Sequence, residues 1–380
     1  EGAFFSSTDA DSEGHEGRFF TWTPDQVRRA LPSGLADLAV AFVALGDEGN
    51  FEGSASVLRP TRPLAEVAAE LGLAAADAAG HLALIREGLQ AARARRVPPA
   101  TDDKRLAAWN GMAVSALAWL GGALPDPRYL DAARTAATFL LQRIAPDGRL
   151  ARSWRDGVES GTETLEDVAW VGSGLLELYE ADADPRWLAE AVSLFGRRLP
   201  HYLAASGALH DTPDDGPELI ARPRNPTDGA TPSAAGEVAA VALRLAALTA
   251  NSELRSTIER ALRAEAAVIA RIPSATTTLL LALEAARRPP ETVLVVGDPG
   301  WDSTRELLTV ALRGKPSRCA LARSRSVPVP HGVVGLVPLF AGRERVEDGQ
   351  ARAYLCEGAA CRLPIENPEA LSQALASLAV

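Results

Sequence analysis

Carboxylates recur in this chain at the starts of apolar helical stretches, and the residues beside them give them chemical interest. Asp102 and Asp103 precede Lys104, Trp109 and Asn110 in TDDKRLAAWNG (101–111). Glu166 and Asp167 stand in GTETLEDVAW (161–170), and Asp228 opens DGATPS (228–233), which ends on Ser233. A carboxylate at a helix start caps free N–H groups and meets the positive end of the helix dipole. Capping explains one aspartate, but not two followed by a lysine and a Trp-Asn pair. A sugar site uses carboxylates to grip hydroxyls and an indole to stack on the apolar face of the ring. Carboxylates at a common mouth can also divide acid and base roles when their surroundings push their pKa values apart. On that reading Asp103, Glu166, Asp167 and Asp228 are the candidate catalytic residues. Asp102, Lys104, Trp109, Asn110, Asp211, Arg222 and Ser233 are the candidate substrate-binding residues. Capping and solubility are the competing account of the same carboxylates. Arg222 closes DTPDDGPELIAR (211–222); it suits a bidentate clamp on a carboxylate or phosphate, or it satisfies Asp211, Asp214, Asp215 and Glu218.

The elements that must position these groups are helical. Each polar cluster runs into an apolar helix: Met112 to Leu124, Val171 to Tyr179, Glu237 to Ala250. A short break and a more amphipathic helix follow each, opening at Asp126-Pro127-Arg128, Asp184-Pro185-Arg186 and Asn251-Ser252-Glu253. This is one helical hairpin repeated, with apolar inner and amphipathic outer members, as in an (α/α) barrel. Inner helices running parallel put their N-termini, and hence the carboxylates, at one mouth. Upstream, Thr23-Pro24 is a helix start, and Val97-Pro98-Pro99 ends the helical pattern that precedes the first hairpin. Downstream, Pro289-Pro290 marks a change of period. Thr292 to Val296, Arg318 to Ala322 and Ala353 to Cys356 read as short strands around helices at Ser303 to Leu312 and Pro368 to Leu378. The expected domains are therefore a barrel over 1–289 and a small α/β unit over 290–380.

Composition narrows the class. A net charge of −10 argues against nucleic-acid binding. No run reaches the length of a membrane span, and no secretory signal opens the chain. Three cysteines do not make a disulfide framework, so Cys356 and Cys361 are expected to be buried free thiols in a reducing compartment, the cytoplasm. Asp9, Asp11, Glu13 and Glu16 lack the EF-hand pattern. Gly297-Asp298-Pro299-Gly300 follows a strand but lacks the phosphate-loop ending. Neither a metal nor a cofactor is expected. The start Glu1-Gly2-Ala3-Phe4-Phe5 reads like the middle of a protein.

DADSEGHEGRFFTWTP, GNFEG, DDKRLAAWNG, LEDVAW with GLLELYEA, DTPDDGPELIARP, DGATPS, YLCEGAAC and LPIENPEAL occur here in that order. Together they resemble the thioredoxin-domain-containing proteins related to spermatogenesis-associated protein 20, across essentially the whole chain. The resemblance implies a mainly α fold. The implied architecture is an (α/α) barrel of the six-hairpin glycosidase/epimerase-like type, expected to be incomplete here, and the thioredoxin-like domain that precedes it in the family is expected to be missing from this chain. The family pattern has an aromatic residue where Val168 stands, and Gly-Asn-Ser where Ala234-Ala235-Gly236 stands. Sugar 2-epimerases of this fold use a pair of barrel histidines, whereas only His210 lies in a rim motif here. The expected function is binding of a carbohydrate-like small molecule at an acidic and aromatic barrel mouth, as an isomerase or hydrolase relative. The alternative is a non-catalytic scaffold that presents a partner or substrate to the thioredoxin-like domain in cis.

Overall fold

The protein is described by a computed structural model covering residues 2–378 apart from 44, 54, 125 and 348. It divides into two compact units, one of Phe5–Asp103 and one of Glu1–Phe4 with Lys104–Val380. The two units part after Asp103, and the change of sequence period at Pro289-Pro290 lies inside the larger one.

The smaller unit holds β1 (Ser7–Thr8), β2 (Asp11–Ser12), β3 (His15–Glu16), α1 (Pro24–Ala30), α2 (Ser33–Phe42), α3 (Leu64–Glu70), α4 (Ala75–Arg93) and β4 (Thr101–Asp102). Thr23 and Gln26 form the capping box that starts α1, with Pro24 in its first turn. Val27, Leu38, Val67 and Ile85 form the core around Trp22. The Arg96 guanidinium lies 3.9 Å from the Trp22 ring and donates to the carbonyls of Phe19 and Thr21. Arg96 thus ties the backbone at Phe19 and Thr21 to the Trp22 ring within this unit.

The larger unit is built on helical hairpins. They are α5 (Ala107–Ala123) with α6 (Pro127–Leu141), α7 (Leu165–Asp182) with α8 (Pro185–Arg198), and α9 (Ala234–Thr249) with α10 (Ser252–Ala264). Asp126, Asp184 and Asn251 each cap the second helix of a pair through the side chain. After α11 (Ala266–Arg271) comes α12 (Thr277–Arg287). The first members and α12 form a row, with α5 on α7, α7 on α9 and α9 on α12. At the centre of that row α7 is buried nearly all round. The two outermost members carry exposed apolar side chains, Trp109 and Trp119 on α5 and Leu281 on α12. Short strands β5 (Arg105–Leu106), β6 (Ser153–Arg155) and β7 (Val158–Ser160) form a meander beside the α5 and α7 N-termini.

Past Pro290 the expected strands and helices form as β8 (Glu291–Val296), α13 (Asp302–Gly314), β9 (Ala320–Arg323), β10 (Arg352–Glu357) and α15 (Pro368–Leu378), and two elements the sequence did not announce, α14 (His331–Leu336) and β11 (Ala360–Cys361), join them. The sheet order is β11-β10-β8-β9, with β8 and β9 parallel and the other pairings antiparallel. Strand alternation splits its two faces. Leu294, Val296, Ala320 and Ala322 join the core of the helical hairpins. Val293, Val295 and Leu321 pack with Leu307 and Leu371 of α13 and α15. One face of the sheet is therefore part of the hairpin core, which is why no compact-unit boundary falls at Pro290. Cys356 and Cys361 stand opposite each other in the β10–β11 register and form a disulfide. This corrects the expected pair of free thiols: an antiparallel register brings partners together at a separation the sequence does not flag. Cys319 is the buried free cysteine. Among the described residues no helix is long and apolar enough to cross a membrane.

Candidate functional site

The mouth lies at the N-termini of α7 and α9. Thr164 and Asp167 form the capping box of α7, Asp167 Oδ2 accepting from the Thr164 N–H at 2.9 Å. Its other oxygen, Oδ1, accepts from the Ala108 N–H of α5 at 3.3 Å. Asp167 therefore caps two helices, its own and its neighbour. Asp228 does the equivalent one step on. Its Oδ1 accepts from the Ser233 N–H at 2.9 Å, and its Oδ2 from the Thr277 hydroxyl at 2.6 Å and the Thr278 N–H at 3.0 Å. It thus ties the start of α9 to the start of α12. Burial alone would raise the Asp228 carboxyl, but these donors outweigh it and hold the group at about 2.

Asp167 shows the opposite balance. Burial raises its carboxyl to about 6, against the pull of Arg152 and the Thr164 donors. The ionised form is thus disfavoured in the folded chain relative to the unfolded one. Stability from this group is complete below about pH 4, its unfolded value, and is lost as pH rises through about 6. Thermal melts are expected to show a falling Tm across that window, and Asp167→Asn should flatten it. An unchanged slope in the variant would remove Asp167 as its source.

Glu166, Asp211 and Ser233 line a cleft of about 260 Å³ with Arg152, Thr164, Asn225, Thr227 and Thr231. Arg152 Nη1 bonds the Thr164 hydroxyl and Asp167, and its Nη2 lies 3.7 Å from Glu166. Asp211 accepts from the Asn225 N–H at 3.3 Å, and its carbonyl accepts from Leu165 N at 2.9 Å. The other expected site residues lie elsewhere. Asp102 pairs with Ser7 across β4 and β1, and with Asp103 it belongs to the smaller unit. Lys104 opens the larger unit and does not line the cleft. Asn110 is buried, and its side-chain amide both accepts from Phe4 N (2.7 Å) and donates to Phe4 O (3.1 Å). Trp109 is exposed on α5. Arg222 is engaged by the loop backbone. It donates to the His201 carbonyl at 2.7 Å and to the Thr212 carbonyl, 3.1 Å from Nε, fixing the loop backbone.

A second polar set went unread in the sequence because it sits on helices that look apolar all round. Arg244 of α9 bonds Glu177 at 2.6 Å and Glu180 at 2.7 Å, and Lys315 bonds Glu180 at 2.8 Å. Burial would raise Glu177, but Arg244 and Lys315 reverse it and lower the carboxyl. Burial raises Glu237, against the Ser173 hydroxyl and Arg244. The signal that could have found them is helical spacing: Glu166, Trp170, Ser173 and Glu177 on α7, and Ser233, Glu237 and Arg244 on α9, each share one face. Beside them, Met112, Ser115, Trp119, Trp170, Glu177 and Lys315 line a cavity of about 540 Å³.

No family model matches the chain. Human spermatogenesis-associated protein 20 is 29% identical over 418 residues, covering 97% of this chain and 51% of its own length. An uncharacterised Caenorhabditis elegans protein is 25% identical over 407 residues, covering 98% and 54%. The chain is homologous to spermatogenesis-associated protein 20. It spans about half the length of the curated relatives it matches. Among solved structures, a cellobiose 2-epimerase from Bacillus thermoamylovorans matches with a TM-score of 0.36 and 14% identity over 42% of this chain and 44% of that one. A GH76 α-mannanase from Bacteroides thetaiotaomicron gives 0.39 and 14% over 64% and 69%. Similarity at that level says nothing of activity.

Proposed function

We propose that the larger unit binds a carbohydrate-like small molecule in the cleft between the α7 and α9 N-termini. The observation that carries this reading is the lining: two carboxylates, four hydroxyls and an amide around 260 Å³, with the cationic Arg152 already engaged by Asp167. Such a wall offers acceptors and donors in mixture, which suits a neutral polyhydroxylated ring better than an anion or an apolar ligand. A saccharide panel read by thermal shift tests it. A ligand that binds only the folded state stabilises by about 2.7 kcal/mol at a hundred times its Kd. Glu166→Gln and Asp211→Asn are each expected to weaken binding about tenfold or more, the loss of a charge-assisted hydrogen bond. No stabilisation by any neutral saccharide would refute the reading and favour a scaffold that presents a partner to a thioredoxin-like domain.

A further inference from the structure

We infer that the cleft at the helix starts and the cavity beside Trp170 form one elongated site, which takes a neutral saccharide of at least two rings. The inference rests on the carbohydrate reading of the cleft and specifies the length of its ligand.

The first argument is the polar stripe. Glu166 lines the cleft, and Trp170, one turn further along the same face of α7, lines the cavity. Ser173 and Glu177 continue that face, so it runs over about 16 Å of helix. Around them Val168, Leu175 and Leu176 are buried and apolar. On α9 the parallel stripe of Ser233, Glu237 and Arg244 runs between buried Val238, Val241 and Leu245. Polar groups buried along a core face cost free energy unless they are satisfied. Arg244 pairs with Glu177, and Lys315 with Glu180, at the inner end. Arg313, also on the cavity wall, donates to the Ala123 carbonyl.

The second argument is Trp170. Its indole N–H is buried and meets no acceptor among the described residues. It lines the same cavity as Trp119, whose ring is half exposed on α5. A sugar ring presents an apolar face for an indole and a hydroxyl oxygen for an indole N–H.

The experiment measures affinity for methyl α-glucoside and methyl β-galactoside beside maltose and lactose, by calorimetry and indole fluorescence. A disaccharide is expected to bind about tenfold tighter than its methyl monosaccharide and to quench indole emission, the gain of one stacked ring. Trp119→Ala, at an exposed position that tolerates truncation, should erase that gain and leave monosaccharide affinity within about twofold. Trp170→Phe keeps a ring and removes the N–H, and should lower disaccharide affinity alone. If monosaccharides and disaccharides bind equally, or Trp119→Ala leaves the ratio unchanged, the elongated site is overturned while the cleft reading stands. If neither class binds, both are overturned.

Discussion

Replacing Arg198 with methionine is expected to destabilise the larger unit by about 3–5 kcal/mol, the cost of leaving a buried charge unpaired. Arg198 and Glu163 are each 1% exposed at the side chain, with Arg198 Nε 2.8 Å from Glu163 Oε1. Tyr202 donates to the same oxygen at 2.8 Å, and Leu150 N donates to Oε2 at 2.6 Å. The other arm of the guanidinium grips both oxygens of Asp215, at 2.9 and 3.1 Å. Glu163 immediately precedes Thr164, so this network holds the entry to α7 and thus the cleft. Urea unfolding followed by circular dichroism measures the loss. Glu163→Leu combined with Arg198→Met should recover part of it, because no charge is then left unpaired in the core. A single-variant loss below about 1 kcal/mol would mean the pair is solvated. The effect also depends on pH. Its hydrogen bonds to Arg198 hold Asp215 well below the usual carboxylate range. That contribution is complete above about pH 4 and is lost as pH falls toward the lower folded value, so the difference between variant and wild type should shrink in acid.

The second large effect is at Gly111. A Cβ there would stand 2.4 Å from the Trp170 carbonyl carbon and 2.5 Å from its oxygen, and one at Gly174 would stand 2.7 Å from the Gly111 oxygen. These are backbone atoms, so no rotamer relieves the clash, and α5 must move away from α7. Gly111→Ala is therefore expected to cost about 3 kcal/mol, at the upper end for overpacking. It should also displace Trp170 and weaken saccharide binding. Gly196→Ala on α8 is the control. Nothing lies within 4 Å of its added Cβ, so removing a helical glycine should stabilise by about 0.5–1 kcal/mol. Denaturation midpoints for the two variants should move in opposite directions. A neutral Gly111→Ala would show that the helices are not held at this approach.

Local chemistry made the elements legible. Thr23-Pro24, Asp126-Pro127, Asp184-Pro185 and Asn251 announce helix starts because a capping side chain acts within one turn of itself. The change of period after Pro290 announced β8, β9 and β10, since alternation is a property of neighbouring residues. The recurring carboxylates were legible as helix-start residues, and their ordered motifs as kinship with spermatogenesis-associated protein 20. What each carboxylate does was decided only by packing. Asp167 reaches across to cap α5 and Asp228 to cap α12, while Glu166 and Asp211 are left facing a cleft. Spacing along a helix tells which face a side chain shares, but not which neighbour stands opposite. The pairing of Cys356 with Cys361 depended on strand register, and the joining of the Leu294 face to the hairpin core depended on which helices cover the sheet. The Glu177–Arg244 pair stayed hidden for the same reason: two charges 67 residues apart become partners only when α7 and α9 pack, and burial then decides that they must pair.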